Sequence, residues 1–224
     1  MMGIVNAIAE SFAQIAETGG PVVVVLMAVA VLTLAVSIYK AWQFWRSAVG
    51  RHTALSQAVA AWDQGDRAGA RTALGRSKSY LVPVVDQAMS APQTGAERLQ
   101  AEAEAQFAKL ETGFRLLDSV AQLAPLLGLF GTVLGMIEAF QALQAAGSQV
   151  DPSILAGGIW VALLTTAVGL VVAMPTAVIL SWLEQRMEAE RVIADKAILT
   201  VLHPAAGPSP SQASAYEGAV AAHG

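Results

Sequence analysis

Polar and apolar positions are segregated along this chain rather than interleaved. Three stretches are apolar for the length of a membrane crossing. Val22 to Tyr39 reads VVVVLMAVAVLTLAVSIY; Leu116 to Leu143 carries only Asp118 near its start and Glu138 near its end; Gly157 to Leu183 carries no charge. Each meets the requirement of about 20 residues for a hydrocarbon core of about 30 Å. Between them the pattern changes to helical period. Residues 4–17 place Ile4, Ile8, Phe12 and Ile15 on one face, with Glu10 and Glu17 among the polar positions, which predicts an interfacial helix. GGP at 19–21 ends it, and Pro21 opens the first span. Residues 46–92 predict short helices separated by DQGD and SAPQTG turns. AERLQAEAEAQFAKLETGFRLLDSV favours helix throughout, so a single helix of about 70 Å is expected from Ala96 to Leu143. GSQVDPS predicts the turn before the third span. The tail from His203, rich in Pro, Ala, Gly and Ser, is expected to be disordered.

Composition agrees. Of 224 residues 55% are hydrophobic and 13% charged, with mean hydropathy +0.53, whereas a soluble domain carries roughly a quarter charged residues. The chain is therefore expected to be an all-α integral membrane protein. Net charge −4 argues against nucleic acid. There is no cysteine, and His52, His203 and His223 show no ligand spacing, so no metal or cofactor is expected. Nor is there a Ser/His/Asp or Gly-rich phosphate constellation, so no enzyme is expected.

The distribution of charge gives orientation. All 13 basic residues lie between Lys40 and Arg115 or at Arg186, Arg191 and Lys196. By the positive-inside rule those regions are cytoplasmic and the N-terminus lies outside. The first span has no preceding basic residue and a long apolar run, so it is not read as a cleaved signal. The expected organisation is a periplasmic amphipathic segment (1–20), a span (21–39), a cytoplasmic helical region (40–115), a second span (116–143), a periplasmic loop (144–156), a third span (157–183) and a cytoplasmic helix with a tail (184–224).

Small residues decide how the spans associate. Ala121, Ala124, Gly128, Gly131, Thr132, Gly135 and Ala139 follow helical steps of three and four, as do Ala162, Thr165, Thr166, Gly169, Ala173, Thr176 and Ala177. In lipid, helices associate where small residues let backbones approach. Spans two and three are expected to contact protein along these stripes, forming an inner wall, while the valine-rich first span faces lipid. Pro125 and Pro175 each leave a carbonyl without its helical donor, which is tolerable beside protein or water. Thr132, Thr165 and Thr166 have two readings: hydroxyls bonded to their own helix, or a polar lining for an ion or proton path. No ionisable group lies near the middle of any span, so a proton path would need a carboxylate from a partner. Glu138, about 9 Å along the helix from Thr132, is the nearest in this chain.

LAPLLGLFGTVLGMIEAF (123–140) and GGIWVALLTTAVGLVVAMPTAV (157–178) resemble the second- and third-span signatures of the MotA/TolQ/ExbB proton channel family, and GGPVVVVL (19–26) is similar to its entry to the first span. ExbB is the member most resembled. The resemblance covers about residues 1–200. It implies a homopentamer around a single-span ExbD- or TolR-like partner whose intramembrane Asp carries the proton, with energy passed to a TonB- or TolA-like protein from the bacterial inner membrane. It carries the pore threonines to Thr132 and Thr166, with Thr165 beside them. It implies an ExbB-like role in outer-membrane transport or, alternatively, a TolQ-like role in the Tol-Pal envelope system. The small stripes alone would equally serve a passive oligomeric scaffold. One position departs from the pattern: Val161 stands where many members have Glu five residues before the third-span threonine.

Overall fold

The computed structural model describes residues 2–47, 49–91, 93–145 and 152–205, with side chains from Gly20 onward. Among these the regular elements are helices: α1 (Met2–Arg46), α2 (Thr53–Asp63), α3 (Arg67–Arg76), α4 (Val82–Ser90), α5 (Ala96–Glu111), α6 (Phe114–Ala145) and α7 (Pro152–Leu202). The apolar face proposed for residues 4–17, most of the GSQVDPS turn and the tail beyond Ala205 lie outside the described side chains or residues.

Among the described residues three helices are long and apolar enough to cross a membrane: Gly20–Arg46 of α1, α6 and α7. The 51 residues of α7 rise about 77 Å, more than twice a hydrocarbon core, so the helix must leave the bilayer. Its charges begin at Glu184, so the uncharged stretch apolar enough to cross ends at Leu183. The chain divides into two compact units at the same place: an apolar unit of 1–40 and 113–183, and a polar unit of 41–112 and 184–224.

In the apolar unit, α1, α6 and α7 pack around Leu26, Ala124, Val172 and Ala173, flanked by Val22, Val29, Leu127 and Val168. The first span is therefore two-sided. Val23, Leu26, Thr33 and Ser37 are buried while Val24, Val31, Leu34 and Ile38 are exposed, so only part of it is free to meet lipid. Gly20 sits at φ 69° and kinks α1 just before Pro21. A residue before proline is pushed out of the helical region, and glycine takes the left-handed alternative without a Cβ clash.

The single helix expected over Ala96–Leu143 is two. Thr112 is extended (φ −51°, ψ 123°) and Gly113 takes φ +95°, so α5 ends at Glu111 and α6 starts at Phe114. Helix propensity along LETGFRL is high on either side, but Gly113 lets the chain turn at one residue, and burial of Phe114 fixes that choice. Pro125 and Pro175 interrupt neither α6 nor α7. Gly113→Ala is expected to cost about 1–2 kcal/mol, because an L-residue resists the left-handed region, and a thermal melt of the purified protein reads it.

The polar unit carries the other core, with Leu55, Trp62, Leu81, Val85, Leu99, Phe107, Met187 and Ile198 buried. Asp66 caps α3 by accepting from the Gly69 N–H at 2.8 Å, which is how DQGD becomes a helix boundary. Trp62 Nε1 donates to the Val201 carbonyl at 3.0 Å, tying α2 to α7. Arg191 of α7 pairs with Glu104 (3.1 Å) and Glu111 (2.7 Å) of α5.

Candidate functional site

The small residues of α6 are used within the chain, against α7. A Cβ on Gly128 would stand 3.0 Å from the Thr165 carbonyl oxygen and the Thr166 Cα; one on Gly169 would stand 2.6 Å from the Ala124 carbonyl oxygen. Gly131 faces the Thr165 side chain, with 2.6 Å left to its Oγ1, and Gly135 faces Ala162 at 3.1 Å. The sequence predicts contact with protein along these stripes, and within the chain that contact is between α6 and α7, because two backbones can approach this closely only where neither carries a large side chain.

The three threonines are placed differently. Thr165 is buried (2% exposed), and its Oγ1 lies 2.7 Å from the Ala162 carbonyl and 3.1 Å from that of Gly128. Thr166 is half-buried and donates to the Gly128 carbonyl across the helix pair at 3.2 Å. Thr132, also half-buried, donates to Leu129 on its own helix at 2.6 Å. Gly128 thus gathers both α7 threonines on one carbonyl, and Thr132 lies one turn further along the same side of α6. Thr165 belongs to the closed interior of the pair; Thr132 and Thr166 sit at its margin.

The remaining candidates spread out. Glu138 is exposed, Pro125 half-buried and Pro175 exposed; Val161 is half-buried, so this position of α7 is apolar. Thr176 is buried and returns its hydroxyl to the Val172 carbonyl at 2.7 Å. Beyond the stripes, α6 and α7 expose Leu126, Leu129, Phe130, Val133, Leu163 and Val171, a surface fit for lipid or for another apolar chain.

Residues 61–196, spanning more than half of the sequence and containing most of α6 and α7, match the model of the MotA/TolQ/ExbB proton channel family. The chain belongs to that family. Among relatives, Biopolymer transport protein exbB1 of Vibrio cholerae is 46% identical over 67 residues, 30% of this chain and 29% of that protein. Putative biopolymer transport protein ExbB-like 1 of Synechocystis is 32% identical over 166 residues, 70% of this chain and 64% of that protein. Tol-Pal system protein TolQ of Haemophilus influenzae is 41% identical over 80 residues, 36% of this chain and 35% of that protein. The matched regions thus span less than two thirds of each of these relatives. As a member of a proton channel family with three apolar helices, the protein is a membrane protein.

In this MotA/TolQ/ExbB protein one polar constellation was not legible in the sequence. Glu190 of α7 is 1% exposed and accepts from Tyr80 Oη at 2.6 Å, from the Gly50 N–H at 2.7 Å and from His52 Nε2 at 2.7 Å. His52 Nδ1 lies 3.2 Å from Ser79 Oγ. Burial opposes charge on Glu190, but the hydrogen bonds from His52 and Tyr80 and from the Gly50 N–H outweigh it and hold the carboxyl below its ordinary range. Burial, and then the bond to Glu190, push the Tyr80 phenol well above its own. Ser79, His52 and Glu190 stand in hydroxyl–imidazole–carboxylate order, yet Ser79 is buried and its Oγ accepts from the Leu81 N–H at 3.2 Å. The group ties three segments together and leaves no reacting atom accessible. His52 stands 27 residues from Ser79 and 138 from Glu190, too far for any spacing rule to join them.

Proposed function

We propose that this chain is an ExbB-like subunit of a proton-motive-force-driven complex in a bacterial inner membrane, with the N-terminus periplasmic and the C-terminus cytoplasmic. Copies of the chain, five by family resemblance, surround a single-span ExbD-like partner that supplies an intramembrane Asp. The complex energises a TonB-like protein for transport across the outer membrane.

The observation that carries this reading is the arrangement about Gly128. Close approach of α6 and α7 leaves Thr166 of α7 and Thr132 of α6 half-buried at the margin of the pair, in helices with no ionisable group near the middle of their apolar stretches. Two hydroxyls without a resident acid suit a helix pair that receives its carboxylate from elsewhere. Each hydroxyl can donate to the partner's carboxylate when that is charged and accept from it when protonated, lowering the cost of both states in a low-dielectric setting. Thr165, closed within the pair, sets the helix spacing. Glu138 lies towards the outer end of α6, where an exposed carboxylate can feed protons from water without entering the apolar stretch.

Thr132→Val with Thr166→Val is the test, with protein and partner reconstituted in proteoliposomes and partner-dependent proton uptake measured. A fall of about tenfold is expected, the effect of roughly 1.4 kcal/mol at the transfer step. Unchanged uptake at normal assembly would remove the threonines from the mechanism. A passive scaffold would show no partner-dependent uptake in the parent protein either.

A second reading rests on the TolQ relative: 41% identity over 80 residues is compatible with the same motor serving a TolA-like protein in the Tol-Pal envelope system. Complementation of strains lacking one system or the other separates the two.

A further inference from the structure

In the polar unit a groove of about 410 Å³ runs between α2 and the C-terminal length of α7. Leu55, Val59, Ala60 and Ile193 form its apolar floor and walls, and Asp63 and Lys196 stand at its edges. Its occupant is indicated by where the described chain stops. The Ala205 N–H donates to Asp63 Oδ1 at 2.7 Å, so the backbone is fixed at the groove's own rim at the point where residues 206–224 begin.

We propose that this groove is the docking site for the chain's own segment 206–224, with Tyr216 seated on the apolar floor and Glu217 beside Lys196. The length suffices. Tyr216 is eleven positions beyond Ala205, a reach of up to about 36 Å, whereas the groove follows α7 from Ile193 to Thr200, about 10 Å of helix. The composition fits as well. GPSPSQAS is a spacer with no large apolar residue; AYEGAV then brings the only aromatic residue and the only carboxylate side chain of the segment side by side. The groove offers the complement: an apolar floor next to an exposed lysine. Attachment at Ala205 makes docking intramolecular, at an effective concentration that a separate peptide reaches only in the millimolar range. Seated this way, the tail covers apolar surface on the polar unit and closes it to other chains.

The protein has no cysteine, so a designed pair reports the contact cleanly. In full-length protein extracted as the assembled complex, Ala60→Cys with Tyr216→Cys is oxidised, and intrachain and interchain disulfides are distinguished by mass spectrometry of complexes mixed from isotopically light and heavy chains. Ala101→Cys with Tyr216→Cys is the comparison, since Ala101 is an exposed residue of α5 outside the groove. The expected result is intrachain bonding of the groove pair at least about tenfold faster than that of the comparison. Lys196→Glu is expected to slow the groove pair about twofold to fivefold, and adding Glu217→Lys is expected to restore it. Equal rates for the two pairs would overturn the proposal, as would no response to charge reversal. Interchain bonding through Ala60→Cys would overturn it too, by giving the groove to a second copy of the chain.

Discussion

Replacing Gly169 with leucine is expected to separate α6 from α7 and to remove most of the protein from the membrane fraction. The position has no room even for a methyl group. A Cβ there would lie 2.6 Å from the Ala124 carbonyl oxygen, 3.1 Å from the Gly128 Cα and 3.3 Å from the Gly128 nitrogen. All three are backbone atoms of one helix, so no side-chain rotation relieves the clash and α6 must shift as a body. Gly128 faces the reciprocal restriction from the Thr165 carbonyl and the Thr166 Cα. Overpacking by a few methylenes costs about 1–3 kcal/mol where the surroundings can adjust. A leucine against backbone is expected to exceed that range. For a chain of this size, 3 kcal/mol corresponds to a fall in Tm of about 6–12 °C in detergent. Gly157 is the control: a Cβ there meets nothing within 4 Å, so Gly157→Ala is expected to be neutral or to gain up to about 1 kcal/mol of helix propensity. A Gly169→Leu protein melting within about 2 °C of the parent would refute the packing account. If the chain works as proposed, the same substitution abolishes partner-dependent proton uptake, since it moves Thr166 away from Gly128.

What the sequence conveyed depended on how far apart the interacting residues stood. The spans were legible because burial in lipid imposes a continuous apolar run, and a run is local. The stripes were legible for the same reason: Gly128, Gly131 and Gly135 repeat at helical steps within a single element. Their counterpart was not. A row of glycines announces close approach without saying what approaches, and both a partner chain and α7 satisfy the pattern. The contacts of Gly128, Gly131, Gly135 and Gly169 assign it to α7. Gly113 shows a different limit. Its neighbours favour helix, and a glycine inside such a run is ambiguous until the burial of Phe114 selects the break. The Glu190 group lay beyond reach altogether. Glu190 falls among Glu184, Glu188 and the basic residues of α7, where a charge ordinarily faces water, and nothing in its neighbourhood distinguishes it from them. Its burial is set by Gly50, His52 and Tyr80, which arrive from remote parts of the chain.

Glu190→Leu is accordingly expected to be among the most damaging substitutions in the polar unit, at about 3–5 kcal/mol, because it removes the acceptor from three donors at once, among them the buried His52 and the half-buried Tyr80. Glu190→Gln keeps an oxygen for Tyr80 or Gly50 and is expected to cost less. The two differ from the parent in pH dependence as well as in stability. The folded protein holds the Glu190 carboxyl below its ordinary 4.5, so it binds that proton more weakly than the unfolded chain does. The resulting stabilisation is complete above the unfolded value and is lost as pH falls through the folded one. Tyr80 acts in the opposite sense. Its phenol is raised above 10.0 on folding, so its contribution is complete below that value and is lost as pH rises beyond it. The polar unit of the parent is therefore expected to lose stability in acid below about pH 4.5 and in alkali above about pH 10, while Glu190→Gln flattens the acid limb. Hydrogen exchange followed over peptides of α2 and α4 reads the polar unit separately from α6. A Glu190→Gln protein retaining the parent's acid limb would show that another carboxylate governs it. Parent-like exchange in Glu190→Leu would show that the three donors find other partners and that the group does not hold the unit together.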